Sequence, residues 1–139
     1  MKNCRVVIAD DHKMVREGLK LILAKRTDFE VVGEAADGLE LLRLLQKGEE
    51  TDIVILDISM PRLRGIKAIR EIKQLRPRIK VLVLTMHKEE DLLSHALECG
   101  ADGYLLKEEV IKELFPALDA IAGGKSYISS PLVREAKEG

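Results

Sequence analysis

The stretch Asp52-Ile53-Val54-Ile55-Leu56-Asp57-Ile58-Ser59-Met60-Pro61 decides the reading of the fold. Four consecutive β-prone apolar residues run straight into an acid, and a proline follows four positions on. Continuous rather than alternating hydrophobicity marks a strand covered on both faces. Asp57 is therefore carried to a strand's carboxyl end and into a loop. In open α/β sheets, ligands and chemistry collect in the crevice beyond those carboxyl ends. An aspartate shortly before a proline is equally an ordinary turn residue, so this stretch alone leaves both roles open.

Working outward, the same kind of run recurs. Arg5-Val6-Val7-Ile8-Ala9 predicts a first strand ending at Asp10-Asp11. From Lys13 onward, Val15, Leu19, Ile22 and Leu23 fall on one helical stripe, with Asp10 or Asp11 expected to cap it. Phe29-Glu30-Val31-Val32-Gly33-Glu34-Ala35 predicts a second strand, and Asp37-Gly38 a turn into a helix carrying Leu41, Leu42 and Leu45 and closed by Gly48. Beyond Gly65, Ile66, Ile69 and Ile72 mark a helix stopped by Arg76-Pro77. Lys80-Val81-Leu82-Val83-Leu84-Thr85 is a fourth strand ending in a hydroxyl, and Leu92, Leu93, Ala96 and Leu97 form a helical stripe closed by Cys99-Gly100.

Gly103-Tyr104-Leu105-Leu106-Lys107 reads as a fifth strand, followed by a helical pattern over residues 110–122. Proline is tolerated in a first helical turn, so Pro116 places the expected start near Glu113. Five strands alternating with five helices predict a doubly wound parallel α/β domain with right-handed crossovers. Residues 1–124 make up that domain. Ser126, Ser129, Ser130 and Pro131 mark irregular chain, and residues 125–139 read as a linker segment with a short helix at 132–137 and no output domain.

Composition excludes several classes. With 139 residues, 46% hydrophobic and 34% charged, the chain is sized for one core and is not disordered. Only 3% of residues are aromatic, which leaves no stacking platform for single-stranded nucleic acid and little to sandwich a flavin. The net charge of -1 gives no overall basic field, and no helix-turn-helix pattern is present. Cys4 and Cys99 are too isolated for a zinc site or a disulfide framework, and no secretory signal or membrane span is evident. These features lead us to expect a cytoplasmic protein.

Taken together, the strand ends weigh against the turn reading of Asp57. Strand one ends in Asp10 and Asp11, strand three in Asp57, strand four in Thr85 and strand five in Lys107. In a parallel sheet these side chains converge on one crevice. Clustered carboxylates repel by about 4 kcal/mol per close pair near a protein surface, so the site calls for a cation. A hard ion with oxygen ligands, Mg²⁺, suits it. An aspartate beside Mg²⁺, a lysine and a hydroxyl can attack phosphorus, giving an aspartyl phosphate.

The segments Ile8-Ala9-Asp10-Asp11-His12, Asp57-Ile58-Ser59-Met60-Pro61 with Gly65, Leu84-Thr85-Met86-His87, and Gly100-Ala101-Asp102-Gly103-Tyr104-Leu105-Leu106-Lys107 resemble a bacterial two-component response-regulator receiver domain. Ala9-Asp10-Asp11-His12 and Gly123-Gly124-Lys125-Ser126-Tyr127-Ile128-Ser129 resemble the NarL/LuxR-type subgroup, whose members carry a DNA-binding output domain after a linker. The resemblance implies a flavodoxin-like, five-stranded sheet of order 2-1-3-4-5. It implies Asp57 as phosphoacceptor, Asp10 and Asp11 as the Mg²⁺ pocket with Asp57 and the Ser59 backbone carbonyl as further ligands, and Thr85 and Lys107 as partners of the phosphoryl group. Tyr104 would be the aromatic switch coupled to Thr85, and Ser59 and His87 would tune hydrolysis. Many receivers place proline after this lysine. Here Glu108 follows Lys107, and a cis bond there costs about 2.5–4 kcal/mol.

The expected role is a signalling switch loaded by a sensor histidine kinase, homodimerising on phosphorylation and meeting DNA only through an output domain. It is a phosphoacceptor with slow self-dephosphorylation rather than a turnover enzyme. The competing readings are a stand-alone receiver and a Mg²⁺-dependent aspartyl-phosphate phosphatase. Phosphatases of the haloacid-dehalogenase type place a second aspartate two positions after the nucleophile, where this chain has Ser59. His12, His87 and His95 do not share metal-ligand spacing, and His12 and His95 read as rim or surface residues.

Overall fold

The apolar runs become strands and the helical stripes become helices in the order β1 (Cys4–Ala9), α1 (Lys13–Leu23), β2 (Phe29–Ala35), α2 (Gly38–Gln46), β3 (Ile53–Asp57), α3 (Gly65–Leu75), β4 (Lys80–Thr85), α4 (Glu90–Glu98), β5 (Gly103–Leu106), α5 (Val110–Ala122) and β6 (Tyr127–Ile128). The structure, a computed structural model, describes residues 3–48, 50–58, 65–86 and 90–129. All strand pairs are parallel, in the order β2-β1-β3-β4-β5-β6.

Alternate residues of the buried strands feed two apolar layers. Val7, Val54, Leu56, Val81 and Val83 point with Leu41, Leu45, Ile69, Ile72 and Ala96 into the layer of α2, α3 and α4. Val6, Ile8, Ile53, Ile55, Leu82 and Leu84 pack with Leu19, Leu23, Leu114, Leu118 and Ile121 into the layer of α1 and α5. A strand covered on both faces has no polar alternation to show, which is why β3 reads as an unbroken apolar run.

Local signals place most boundaries. Asp37 caps α2 by accepting from the Glu40 amide, and Glu40 accepts in return from the Ala36 amide. Gly100, at φ 107°, supplies the left-handed residue that ends the α4 turn.

Four expectations are corrected. The sheet has six strands, because Tyr127–Ile128 adds beside β5 in a segment whose serines suggested irregular chain. Helix α5 begins at Val110 rather than near Glu113, so Pro116 lies in its second turn. Such a proline costs about 3 kcal/mol. Burial of Leu114, Leu118 and Ile121 contributes about 1.5–3 kcal/mol each and outweighs that cost. The cap of α1 is His12, without a side-chain cap bond, and Asp10 instead accepts from the His12 amide at 2.8 Å. Strand β5 ends at Leu106, and Lys107–Glu109 form a single 3₁₀ turn. No cis peptide occurs among the described residues, so the Lys107–Glu108 bond is trans. The expected helix at 132–137 lies outside the described residues.

Candidate functional site

Register brings the strand ends together. Ala9 pairs with Leu56, so Asp10 and Asp57 leave adjacent strands side by side. Asp57 pairs with Leu84, one residue before Thr85, and Thr85 pairs with Leu106, one residue before Lys107. Asp10 is 0% exposed and Asp57 and Thr85 1% each. Two nearly dry carboxylates are costly unless a cation joins them.

Lys107 is that cation. Its Nζ lies 3.1 Å from Asp10 Oδ2 and 3.2 Å from Asp57 Oδ2, so one ammonium bridges the ends of β1 and β3. Burial, the largest single influence, pulls the Lys107 pKa down, but Asp57 and then Asp10, through charge and hydrogen bonding, carry it above its ordinary value. The ammonium is thus held charged beside the acids.

The other Asp10 oxygen is already engaged by the His12 amide, and Arg16 Nη1 donates to the Asp10 carbonyl at 2.7 Å. Arg16 and Lys20 of α1 both reach Glu34 on β2, at 3.1 and 2.9 Å, and clamp the end of β1 between its neighbours. Lys20, followed by Arg16, holds the Glu34 carboxyl below its usual range against the opposing effect of burial. Sequence reasoning missed this clamp. Its only trace was charge on the α1 stripe's polar side, which a solvated helix face would also show.

Asp11 opens toward solvent and closes the rim with His12, whose Nδ1 lies 3.1 Å from Asp11 Oδ1 and 3.3 Å from Asp10 Oδ1. Donor atoms of Asp10, Asp11, His12 and Asp57 all lie within 4.8 Å of one another. The three carboxylates form an acidic cluster compatible with binding a hard cation such as Mg²⁺. His12 is a rim residue as expected, but it belongs to this group, which its spacing alone did not indicate. Tyr104 lies one layer below on β5, wholly buried among Val83, Leu106 and Ala96. Ser59 and His87 lie outside the described residues.

A doubly wound parallel sheet with a buried aspartate, a bridging lysine and an acidic cluster at its carboxyl edge defines a flavodoxin-like receiver fold. Residues 6–119 match the response regulator receiver domain, and the chain belongs to that family. It is 43% identical over 124 residues to the transcriptional regulatory protein DegU of Brevibacillus brevis, covering 89% of this chain and 52% of that protein. The chain therefore spans about half the length of that relative. A two-component response regulator of the LuxR family from Aurantimonas sp. SI85-9A1 superposes with a TM-score of 0.92 at 36% identity, covering 99% of this chain and 97% of that one. The isolated receiver domain of RcsB from Salmonella enterica serovar Typhimurium, solved with the phosphomimetic BeF3-, gives a TM-score of 0.88 at 34% identity, covering 96% and 98%.

Proposed function

We propose that this receiver is loaded on Asp57 by a sensor histidine kinase. A carboxylate oxygen of Asp57 attacks the phosphorus of a phosphohistidine, the P–O bond forms as the P–N bond breaks, and the imidazole leaves with the electron pair. The bridge from Lys107 to Asp57 and Asp10 carries this reading, because it points one ammonium at the place where the transferred oxygens would gather charge.

Asp10, Asp11 and Asp57 would hold Mg²⁺, with the Ser59 backbone carbonyl as a further ligand. Bound there, the ion would neutralise charge on the transferred oxygens. Lys107 turns from the carboxylate to the phosphoryl group, and Thr85 donates its hydroxyl to it. The switch then passes to Tyr104 through the shared β4–β5 edge, with Ser59 and His87 setting how long the adduct lasts. The product stays on the protein, so this is phosphotransfer and slow self-hydrolysis rather than turnover of a free substrate.

The names of the relatives support a transcriptional role for the whole protein, exercised on DNA through an output domain. Phosphorylation-dependent homodimerisation is supported by Met14, Leu21 and Ile111, large apolar side chains 87%, 73% and 88% exposed. A cytoplasmic setting follows from the kinase partner, and no helix among the described residues is long and apolar enough to cross a membrane.

Intact-mass spectrometry after acetyl phosphate and Mg²⁺ tests the chemistry. One phosphoryl adduct is expected on the wild type and none on Asp57→Ala, with size exclusion of both forms reading assembly. An adduct that persists in Asp57→Ala assigns the chemistry elsewhere.

A further inference from the structure

Glu113 is a carboxylate on the inner side of α5, only 5% exposed, among Leu114, Ala117 and Leu118. A buried carboxylate is costly unless it is well hydrogen-bonded. Glu113 is: Tyr127 Oη donates to Oε1 at 2.6 Å and Ser129 Oγ to Oε2 at 2.8 Å. Both donors belong to the segment at and just after β6.

That segment is a strand of two residues. The Tyr127 amide donates to the Asp102 carbonyl at 3.2 Å and the Ser129 amide to the Tyr104 carbonyl at 2.9 Å. Gly103 makes room for it, because a Cβ there would stand 3.3 Å from the Tyr127 carbonyl oxygen and 2.5 Å from Ile121 Cδ1. The ladder bonds of a two-residue strand and the partly buried side chains of Tyr127 and Ile128 are little to hold residues 127–129 in place. A leucine at position 113 would extend the apolar stripe of α5 but could not select where the hydroxyls dock.

We propose that Glu113 is a positioning residue whose buried carboxylate latches Tyr127 and Ser129, holding residues 127–129 as a sixth strand on the Tyr104 edge and coupling that strand to β5 and α5. The coupling half rests on the phosphoryl reading of Asp57 given above. It makes β6 part of the signal path, since Ser129 is bonded to the backbone of Tyr104 itself. Coupling is reciprocal: whatever loading the phosphoryl site does to the latch, breaking the latch does to the affinity of that site by the same factor.

Amide hydrogen exchange on the whole chain tests the latch without any phosphoryl group. Glu113→Gln keeps the size and one acceptor, and Tyr127→Phe and Ser129→Ala remove the donors from the other side. Each is expected to speed exchange at the Tyr127 and Ser129 amides about tenfold or more, with the amides of β1 and β3 unchanged. Protection of both amides left as in the wild type overturns the latch. Beryllofluoride with Mg²⁺ then tests the coupling. The expected result is altered protection at the same two amides in the wild type, with a matching shift of the beryllofluoride midpoint in Glu113→Gln and Tyr127→Phe. Saturable binding with unchanged amides and an unchanged midpoint overturns the coupling. No binding at all, with the latch variants behaving as expected, overturns the reading of Asp57 and leaves the latch standing.

Discussion

The two ends of the sheet use the same chemistry, carboxylates facing amines and guanidinium groups, in opposite surroundings. At the amino end, Arg26 pairs with Asp28 and Asp119, and Arg5 with Glu50, through side chains from a third to two-thirds exposed. Arg26 holds the Asp28 carboxyl below its ordinary pKa, and the Arg26 guanidinium itself is pushed up, first by Asp119 and then by Asp28. It also stacks over Phe29 and Phe115, at 5.0 and 4.8 Å from their centroids. At the carboxyl end, Asp10 and Asp57 are dry and share one lysine. Water screens the first set, so it closes the surface and does little else. The second set is nearly out of water and shares one ammonium, so its charges act on one another with little screening.

The largest effect expected from that contrast is on Lys107. Lys107→Ala leaves two buried carboxylates facing each other, and losing one partner of a buried pair costs about 3–5 kcal/mol. Urea unfolding should place this variant near the lower end, because the ammonium keeps some contact with water. A loss too small to resolve would make the bridge a surface pair like those at the other end.

Mg²⁺ comes next. At about a hundred times its Kd the ion should raise unfolding stability by about 2.7 kcal/mol, reversibly with EDTA, and the gain should vanish in Asp10→Asn with Asp11→Asn. Equal stabilisation of that double variant would place the cation elsewhere.

Tyr127 gives a smaller, pH-dependent effect. Burial first, then the Glu113 hydrogen bond and charge, push its pKa from 10.0 up to about 12. A folded pKa above the unfolded one favours the neutral phenol. The contribution is full below pH 10 and lost as pH rises through about 12. The stability advantage of the wild type over Tyr127→Phe should shrink across that window, and tyrosinate absorbance should report ionisation of Tyr127 at about pH 12. Ionisation at an ordinary phenol pKa would mean that the side chain is not docked.

The smallest effect belongs to the amino end. Asp119→Asn removes one exposed partner of Arg26, which keeps Asp28 and both rings. The urea midpoint should not move measurably, and a shift comparable with that of Lys107→Ala would erase the contrast.

The unbroken run before Asp57, the leucine and isoleucine stripes, and the Asp37 and Gly100 boundaries are local signals, so the sequence by itself determined the strand-helix alternation and the placing of acids, hydroxyl and lysine at successive strand ends. The bridging of Asp10 and Asp57 by Lys107 needs β1 and β3 to be neighbours, and the order of the strands entered only through likeness to a family. Tertiary structure alone decided the rest. Local propensity starts the last helix near Glu113 with Pro116 in its first turn, but Leu114, together with Leu118 and Ile121, finds a buried sheet face, and α5 begins at Val110. Serine-rich chain suggests irregularity, but Glu113, sixteen residues before Ser129, supplies the carboxylate that turns Tyr127–Ile128 into a strand. Both outcomes depend on partners distant along the chain, whose burial and hydrogen bonding outweigh what neighbouring residues prefer.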